Sequence, residues 1–318
     1  MSTKKKTEKK TADVAIVMPV YNRARLVKRT IRSIEAQKVW PSEFIIVDNN
    51  STDNSLQVVT ELADELRAKG MNVKVLTENV QGAAASRNRG LAEVTAKWVM
   101  FFDSDDEMKP LHIKEAFRTA DQHPDADLVG WDCEAIALDG NVEIRPFSVF
   151  HAKRRNLYHG NMATQRYMAR TELIRKAGGW DEKILIWNDI ELGARILSFR
   201  PKMVKRTGEL HVLIHAQRES ITGSTFAERV DKYGAPLRAI INDLTPRWLY
   251  GVALKAMILA ADMTLEGSNH GPEWRDKILA AVPGAWPRAV LRAAYAYRCR
   301  GLRGGARLFH YLLPKYKG

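Results

Sequence analysis

Four short apolar runs, rich in β-branched residues, punctuate the first third of the chain: Asp13–Pro19 (DVAIVMP), Phe44–Val47 (FIIV), Val73–Leu76 and Trp98–Phe102 (WVMFF). Apolarity that runs on without alternation predicts strands buried on both faces, as in a parallel sheet. The segments between them repeat at helical spacing. Ala24–Gln37 places Leu26, Val27, Thr30, Ile31 and Ile34 on one face; a second helix spans Ser55–Ala68 and stops at Gly70; a third covers Ala83–Ala92. The cluster DNNSTDNS after the second strand is loop and helix-cap chemistry, since Ser51, Thr52 and Asp53 can accept from free N–H groups at a helix start. Strand–helix alternation of this kind demands right-handed crossovers and a mostly parallel sheet flanked by helices.

The second half is less regular. Asp127–Trp131 and Leu210–Ile214 read as strands, Glu172–Lys176 as a short helix before Gly178-Gly179, and Asp189–Phe199 as a helix with Ile190, Gly193, Ala194 and Leu197 on its apolar face. After about Phe226 the pattern turns helical, with Gly301, Gly304 and Gly305 interrupting the last stretch. The expected organisation is a disordered basic tail over 1–12, an α/β domain over 13–225 and a helical region over 226–318.

Composition is that of a folded globular protein, at 45% hydrophobic and 27% charged residues. Cys133 and Cys299 lie far apart and form no CxxC pair, which points to a reducing, cytoplasmic setting. The lysines of MSTKKKTEKK precede no apolar h-region, so a secretory leader is not expected. The apolar stretch Trp248–Met263 is shorter than a span of about 20 residues and is broken by Lys255, so no transmembrane helix is expected either.

Net charge is +13 and unevenly placed: from Glu273 onward ten Lys and Arg face only Glu273 and Asp276. Such a patch calls for an acidic partner. The arginines are not interleaved with a nucleic-acid-binding module, so nucleic acid is not expected. Two readings stay open. Trp286, Val290, Leu291, Tyr295 and Tyr297 beside Arg288, Arg292 and Arg298 would suit an interfacial helix on anionic lipid, making the protein peripheral at the inner face of the membrane. The same residues would equally suit a basic helix packed on the domain.

Residues able to do chemistry fall at the carboxyl ends of the expected strands, where open α/β sheets bind ligands. FFDSDDEM carries Asp103, Asp105 and Asp106 after a buried strand. Like charges so close repel, and a divalent cation relieves them; hard oxygen ligands suit Mg²⁺ or Mn²⁺, which bridge readily to a diphosphate. The plainer reading is an acidic turn capping a helix. Asp189 in WNDIEL begins a helix and could serve as general base, or simply favour the helix start. Glu191 points elsewhere on that helix, toward an acceptor or an arginine. His211 and His215, evenly spaced on a strand, would share a face and could ligate a metal or merely pack. Arg87, in a polar loop-to-helix stretch, could neutralise a phosphate or lie at the surface.

Taken in order, MPVYNRA, IIVDNNSTDNS, ENVQGAAASRNRG, FFDSDDEM, GGWDE and NDIELGARI resemble the family 2 glycosyltransferases of the GT-A, Rossmann-like fold. The resemblance runs from residue 14 to about 222. It implies an inverting transferase that moves a sugar from a nucleotide-diphosphate sugar, often a UDP-sugar, to a hydroxyl of a glycan or lipid-linked acceptor, with Mg²⁺ or Mn²⁺. The implied setting is bacterial polysaccharide or glycolipid assembly. Position by position, it implies that Pro19, Tyr21, Asn22 and Asp48 hold the nucleobase and ribose. Arg87, Asp103 and Ser104 complete the donor site, Asp105 ligates the metal, and Asp189 is the catalytic base. His215, followed by Ser220-Ile221-Thr222, resembles the late segment that closes over the diphosphate. Asn49 and Asn50 depart from the frequent Asp and Gly, and Asn188 replaces a frequent Glu; neither change removes the metal ligand or the base.

Other classes fit less well. The turn Pro19-Val20-Tyr21-Asn22 has no glycine, so neither a nucleotidyltransferase grip nor a GxGxxG dinucleotide site follows the first strand. A non-catalytic nucleotide-binding or membrane-surface protein on the same scaffold is the alternative from another class.

Overall fold

A computed structural model describes residues 9–184, 187–217 and 246–314. The chain forms two compact units: residues 1–150, 161–182 and 199–218 make the first, and residues 151–160, 183–198 and 219–318 the second. The boundary expected at 225/226 lies outside the described residues.

In the first unit the elements run β1 (Thr11–Val20), α1 (Val27–Glu35), β2 (Trp40–Asp48), α2 (Ser55–Ala68), β3 (Val73–Thr77), α3 (Ala83–Ala92) and β4 (Trp98–Phe101). All four strands and three helices follow the apolar pattern. Beyond them come β5 (Glu107–Met108), α4 (His112–Gln122), β6 (Leu128–Gly130), β7 (Cys133–Ile136) and β8 (Val142–Arg145). After a helical segment of the second unit, α5 (Ala152–His159), the first unit resumes with β9 (Tyr167–Arg170) and α6 (Thr171–Lys176). It ends, after α7 (Asn188–Ser198) of the second unit, with β10 (Met203–Lys205) and β11 (Val212–His215).

The main sheet has the order β10-β6-β9-β4-β1-β2-β3. Strands β4, β1, β2 and β3 pair in parallel, and β10 pairs β6 in parallel, but β9 runs antiparallel to both β4 and β6. The sheet is therefore mixed, parallel where the sequence pattern is strongest. A second sheet, β5-β11-β7-β8, was not apparent from the pattern: its strands are two to four residues long and carry charges.

One face of the main sheet buries Ile16, Met18, Phe44 and Ile46 with Val27, Ile31 and Ile34 of α1 and Leu62 and Leu66 of α2. On the other face α3 lies close enough that a Cβ on Gly90 would stand 2.4 Å from Val17 Cγ1 and 3.2 Å from Val47 Cγ2. The missing side chain of Gly90 permits this approach, and it sets the position of Arg87 one turn earlier.

Strand order reverses between β1 and β4, so the carboxyl ends of these two strands flank the crevice where such sheets bind ligands.

Among the described residues the second unit gathers α5, α7, α8 (Pro246–Leu265), α9 (His270–Ala281), α10 (Ala285–Cys299) and α11 (Ala306–Leu312). Leu157, Ile190, Leu254, Met257, Leu291 and Phe309 share its core. Gly301 and Gly304, both at positive φ, break the chain between α10 and α11. The interfacial reading of α10 needs correction, because Val290, Leu291 and Tyr295 are buried in that core while Trp286 is exposed. Most of the apolar side of α10 is occupied by protein. No helix among the described residues is long and apolar enough to cross a membrane.

Candidate active site

In the first unit the polar residues at the ends of β1, β2 and β4 form one hydrogen-bonded group. Pro19 is buried in β1 opposite Val47, and Tyr21, just beyond the strand, is exposed. Asn22 takes a left-handed conformation, φ 49°, and asparagine tolerates it because its amide bonds locally. Its Oδ1 accepts from Thr52 N at 2.9 Å, and its own N–H donates to Ser51 Oγ at 3.1 Å. The loops after β1 and β2 are thereby tied together.

Asp48 ends β2, buried. Its Oδ2 accepts from Ser51 N at 3.0 Å, while Oδ1 finds no hydrogen-bond partner. Asn49 organises the neighbouring loop. Its Nδ2 donates to the carbonyls of Glu78 and Val80 at 3.0 and 2.7 Å, and its Oδ1 accepts from Gly82 N at 2.7 Å. An aspartate there could not make the two donations, so the asparagine has a structural reason.

Arg87, on α3, is buried, which excludes the surface reading. Its Nη2 donates to Asp103 Oδ1 at 2.7 Å and its guanidinium stacks 4.4 Å above the Trp180 ring. Its Nε and Nη1 are buried without hydrogen-bond partners. A buried cation with unused donors is costly, and an oxyanion is the group that satisfies it. Asn88 locks Trp180 in place: it accepts from Trp180 N at 2.8 Å and donates to Trp180 O at 2.9 Å.

The carboxylates after β4 are tightly knit. Gln165 Nε2 lies 2.5 Å from Asp103 Oδ2 and 2.6 Å from Asp106 Oδ2, bridging the two. Asp106 Oδ1 accepts from His215 N at 2.9 Å, and its carbonyl accepts from Thr30 Oγ1 at 2.7 Å. Burial holds the Asp106 carboxyl well above the usual carboxylate range, and the charges of Asp103 and Asp105 add to the effect. Asp105 is also raised, by burial first and then by Asp103, with Arg23 opposing from 3.5 Å. Ser104 is buried within the turn.

Whether this group suits a divalent cation depends on its charge balance. Among the described residues no three His, Cys, Asp or Glu side chains are arranged as a ready metal cage. Mg²⁺-type sites on diphosphates need only one or two carboxylates, the remaining ligands being phosphate and water. Asp105, whose carboxyl is pushed upward by its own burial and by the charge of Asp103, is the kind of ligand such a cation would stabilise as carboxylate. The residues fit.

His211 and His215 are not brought together. His211 precedes β11 and faces His112, ring centroids 6.4 Å apart. His215 ends β11 with its Nε2 2.8 Å from Glu107 Oε1, close but without the alignment of a hydrogen bond. Ser220, Ile221 and Thr222 lie outside the described residues.

In the second unit, Asp189 lies in the first turn of α7, its Oδ1 accepting from Ile190 N at 2.8 Å. Trp187, just before the helix, has φ 58°. Glu191 is buried and chelates Arg195 within the same helix, so it takes the arginine-holding role of the two expected for it.

Residues 15–166 match the model of "Glycosyl transferase family 2". The match covers a little under half of the chain. An uncharacterized glycosyltransferase of Nostoc is 37% identical over 131 residues, which are 40% of this chain and 38% of that protein. This chain thus spans under two-fifths of that relative's length. Among solved structures, Staphylococcus aureus TarS 1–349 in complex with UDP-GlcNAc superposes with a TM-score of 0.65 at 19% identity, over 90% of this chain and 88% of that one. The mannosyltransferase PcManGT from Pyrobaculum calidifontis, in complex with GDP-Man and Mn²⁺, gives a TM-score of 0.55 at 17% identity, over 96% and 86%. At such identities the likeness shows the fold, which is GT-A.

The sequence reading missed Gln165, Arg23 and Trp180. A glutamine in a short 3₁₀ turn over Thr164–Arg166 carries no pattern of its own. Arg23 and Trp180 sat inside quoted motifs, MPVYNRA and GGWDE, yet only the fold shows what they touch.

Proposed function

We propose that the chain is an inverting glycosyltransferase that moves a sugar from a nucleotide-diphosphate donor, a UDP-sugar in the first instance, to an acceptor hydroxyl in bacterial polysaccharide or glycolipid assembly. The observation that carries the proposal is Arg87: a buried guanidinium with two unused nitrogens, tied to the carboxylates at the end of β4. That combination suits an anionic, metal-binding ligand at a nucleotide-type crevice. TarS, solved with UDP-GlcNAc, supports the UDP-sugar reading, and PcManGT, solved with GDP-Man and Mn²⁺, supports the metal.

In this reading the Pro19–Asn22 turn and Asp48 receive base and ribose, and the unused Oδ1 of Asp48 is the acceptor that a ribose or base N–H/O–H would fill. Asp103 and Ser104 contact the donor beside Arg87, which holds phosphate oxygen. Asp105, with His215, would hold Mg²⁺ or Mn²⁺, whose chemistry there is Lewis-acid stabilisation of the leaving diphosphate. Asp189 takes the proton from the acceptor hydroxyl as that oxygen attacks the anomeric carbon from the side opposite the diphosphate, which inverts the centre. General-base assistance of this kind contributes about 10²–10⁴-fold.

The test is thermal stability against UDP, GDP, UDP-GlcNAc and GDP-Man, each with and without Mn²⁺. Metal-dependent stabilisation by one of them, lost in Asp105→Ala, is the expected outcome. Asp189→Asn should keep that stabilisation and lose turnover. No shift with any nucleotide at saturating metal would replace this reading with a non-catalytic one.

A further inference from the structure

Lys255 stands out in the second unit. It lies on α8 beside Leu254, Ala256 and Met257, all buried, and is itself half-buried, with desolvation lowering its ammonium from the ordinary 10.5 to about 8. Withdrawing an ammonium from water is expensive, and methionine or leucine would fill the same space without that cost. Its Nζ donates to the carbonyl of Leu157 in α5 and sits 4.2 Å above the ring of Trp187. Trp187 holds φ 58°, a conformation that a bulky aromatic adopts only when its surroundings hold it there.

Trp187 leads straight into the first turn of α7. Its carbonyl accepts from Glu191 N at 3.0 Å, closing the turn that contains Asp189. Asn156 Nδ2 of α5 donates to Ile190 O at 2.8 Å and braces the same turn from the other side. The carboxylate of Asp189 acts electrostatically on Lys255. Of the other ionisable groups nearby, Glu191 is engaged with Arg195, and the Tyr158 hydroxyl bonds Gly251 O and His310 Nδ1.

We propose that Lys255 is a positioning residue for Asp189: its ammonium clamps the Trp187 ring and the Leu157 carbonyl, fixing the turn that presents the carboxylate. This rests on the reading of Asp189 as the base. A base must be aimed at the acceptor oxygen, and a cation fixed against both the ring and the helix beside the turn holds it so.

The experiment needs Lys255→Met, Lys255→Arg and Asp189→Asn, read in two ways. First, the indole N–H resonance of Trp187, assigned with Trp187→Phe, is followed across the neutral to alkaline range without substrate. The wild type should show an inflection near pH 8, where burial has brought the Lys255 ammonium down. Lys255→Met should abolish the inflection, and Asp189→Asn should move it to lower pH, because the carboxylate raises it. Second, turnover is measured with the nucleotide sugar that gives the largest thermal stabilisation. Lys255→Met should lose on the order of 10- to 100-fold in kcat at unchanged donor KM, with Lys255→Arg recovering part of the loss. An inflection unmoved by Asp189→Asn, wild-type kcat in Lys255→Met, or equal losses in Met and Arg variants would each overturn the inference. Full turnover in Asp189→Asn would instead strike at the base assignment, and the substrate-free titration tells the two failures apart.

Discussion

Replacing Lys255 by methionine should change how stability depends on pH, and the size of the change follows from the burial of the ammonium. In the unfolded chain this lysine titrates near its ordinary value of 10.5; in the fold, burial lowers it to about 8, with Asp189 partly opposing. Between those two values the unfolded chain binds more protons than the folded one, so folding stability rises with pH. At about 1.4 kcal/mol per pH unit, the whole interval corresponds to about 3 kcal/mol. The Trp187 ring, 4.2 Å away, favours the charged form by up to about 2 kcal/mol and reduces the figure, leaving roughly 1–3 kcal/mol. The variant also loses the bond to Leu157 O, which costs about 1–3 kcal/mol. That loss is common to every pH and drops out of the pH dependence. Urea titrations of both proteins, followed by helical circular dichroism from neutral pH upward, give the difference directly. The wild type should gain on Lys255→Met by roughly 1–3 kcal/mol between about pH 7 and pH 10.5. A difference that stays flat over that range would show that Lys255 is not a desolvated ammonium, and the argument for its role would fall with it.

Three further predictions concern the first unit. Arg87→Met leaves Asp103 beside two other carboxylates without its counter-charge; because Asp103 is about a third exposed, the cost should be about 2 kcal/mol rather than the ~3–5 of a fully buried pair, seen as a lower Tm together with loss of nucleotide stabilisation. Asp106→Asn removes a carboxyl whose folded pKa is raised above 3.8, so ionisation destabilises the wild type as pH rises from there through the folded value; the variant should gain on the wild type over that window, and a constant difference in calorimetric Tm would count against the burial argument. Gly90→Ala sets a Cβ 2.4 Å from Val17 Cγ1 and should cost about 1–3 kcal/mol by urea titration, with wild-type stability refuting the close approach of α3 to β1.

What could be read from the sequence tracks burial on two faces. Strands β1, β2 and β4 carry near-continuous buried apolar runs because they lie inside the sheet, and that lack of alternation is visible without coordinates. The strands that escaped notice have no such signature. Glu107–Met108 is two residues long, Val142–Arg145 is exposed along its whole length, and Tyr167–Arg170 owes its place to pairing with β4 and β6 rather than to its own composition. The same divide runs through the site. Asp103, Asp105 and Asp106 announce themselves as charges following an apolar run, whereas Gln165, which bridges two of them, depends on the chain returning some sixty residues later. Nor does any pattern show that residues 151–160 and 183–198 pack with the C-terminal helices, since that grouping arises from tertiary contact alone.

Buried charge marks both sets of proposed functional residues, but its sign arrangement differs and so does what it asks for. At the end of β4 three carboxylates crowd together, Arg87 and Arg23 offset them only in part, and burial still pushes Asp105 and Asp106 toward the neutral form. A cluster like that is stabilised by bringing in positive charge, and it stays responsive to whatever supplies it. Around Asp189 the cation is already covalently part of the fold, half-buried against the ring that shapes the turn. A general base has to be charged before its substrate arrives and neutralised only as the proton moves, so a fixed internal cation serves it better than an exchangeable one. By this reasoning metal depletion should weaken donor binding while leaving the Lys255-dependent titration of Trp187 unchanged. A titration that moved with metal would mean that the two charge systems are one.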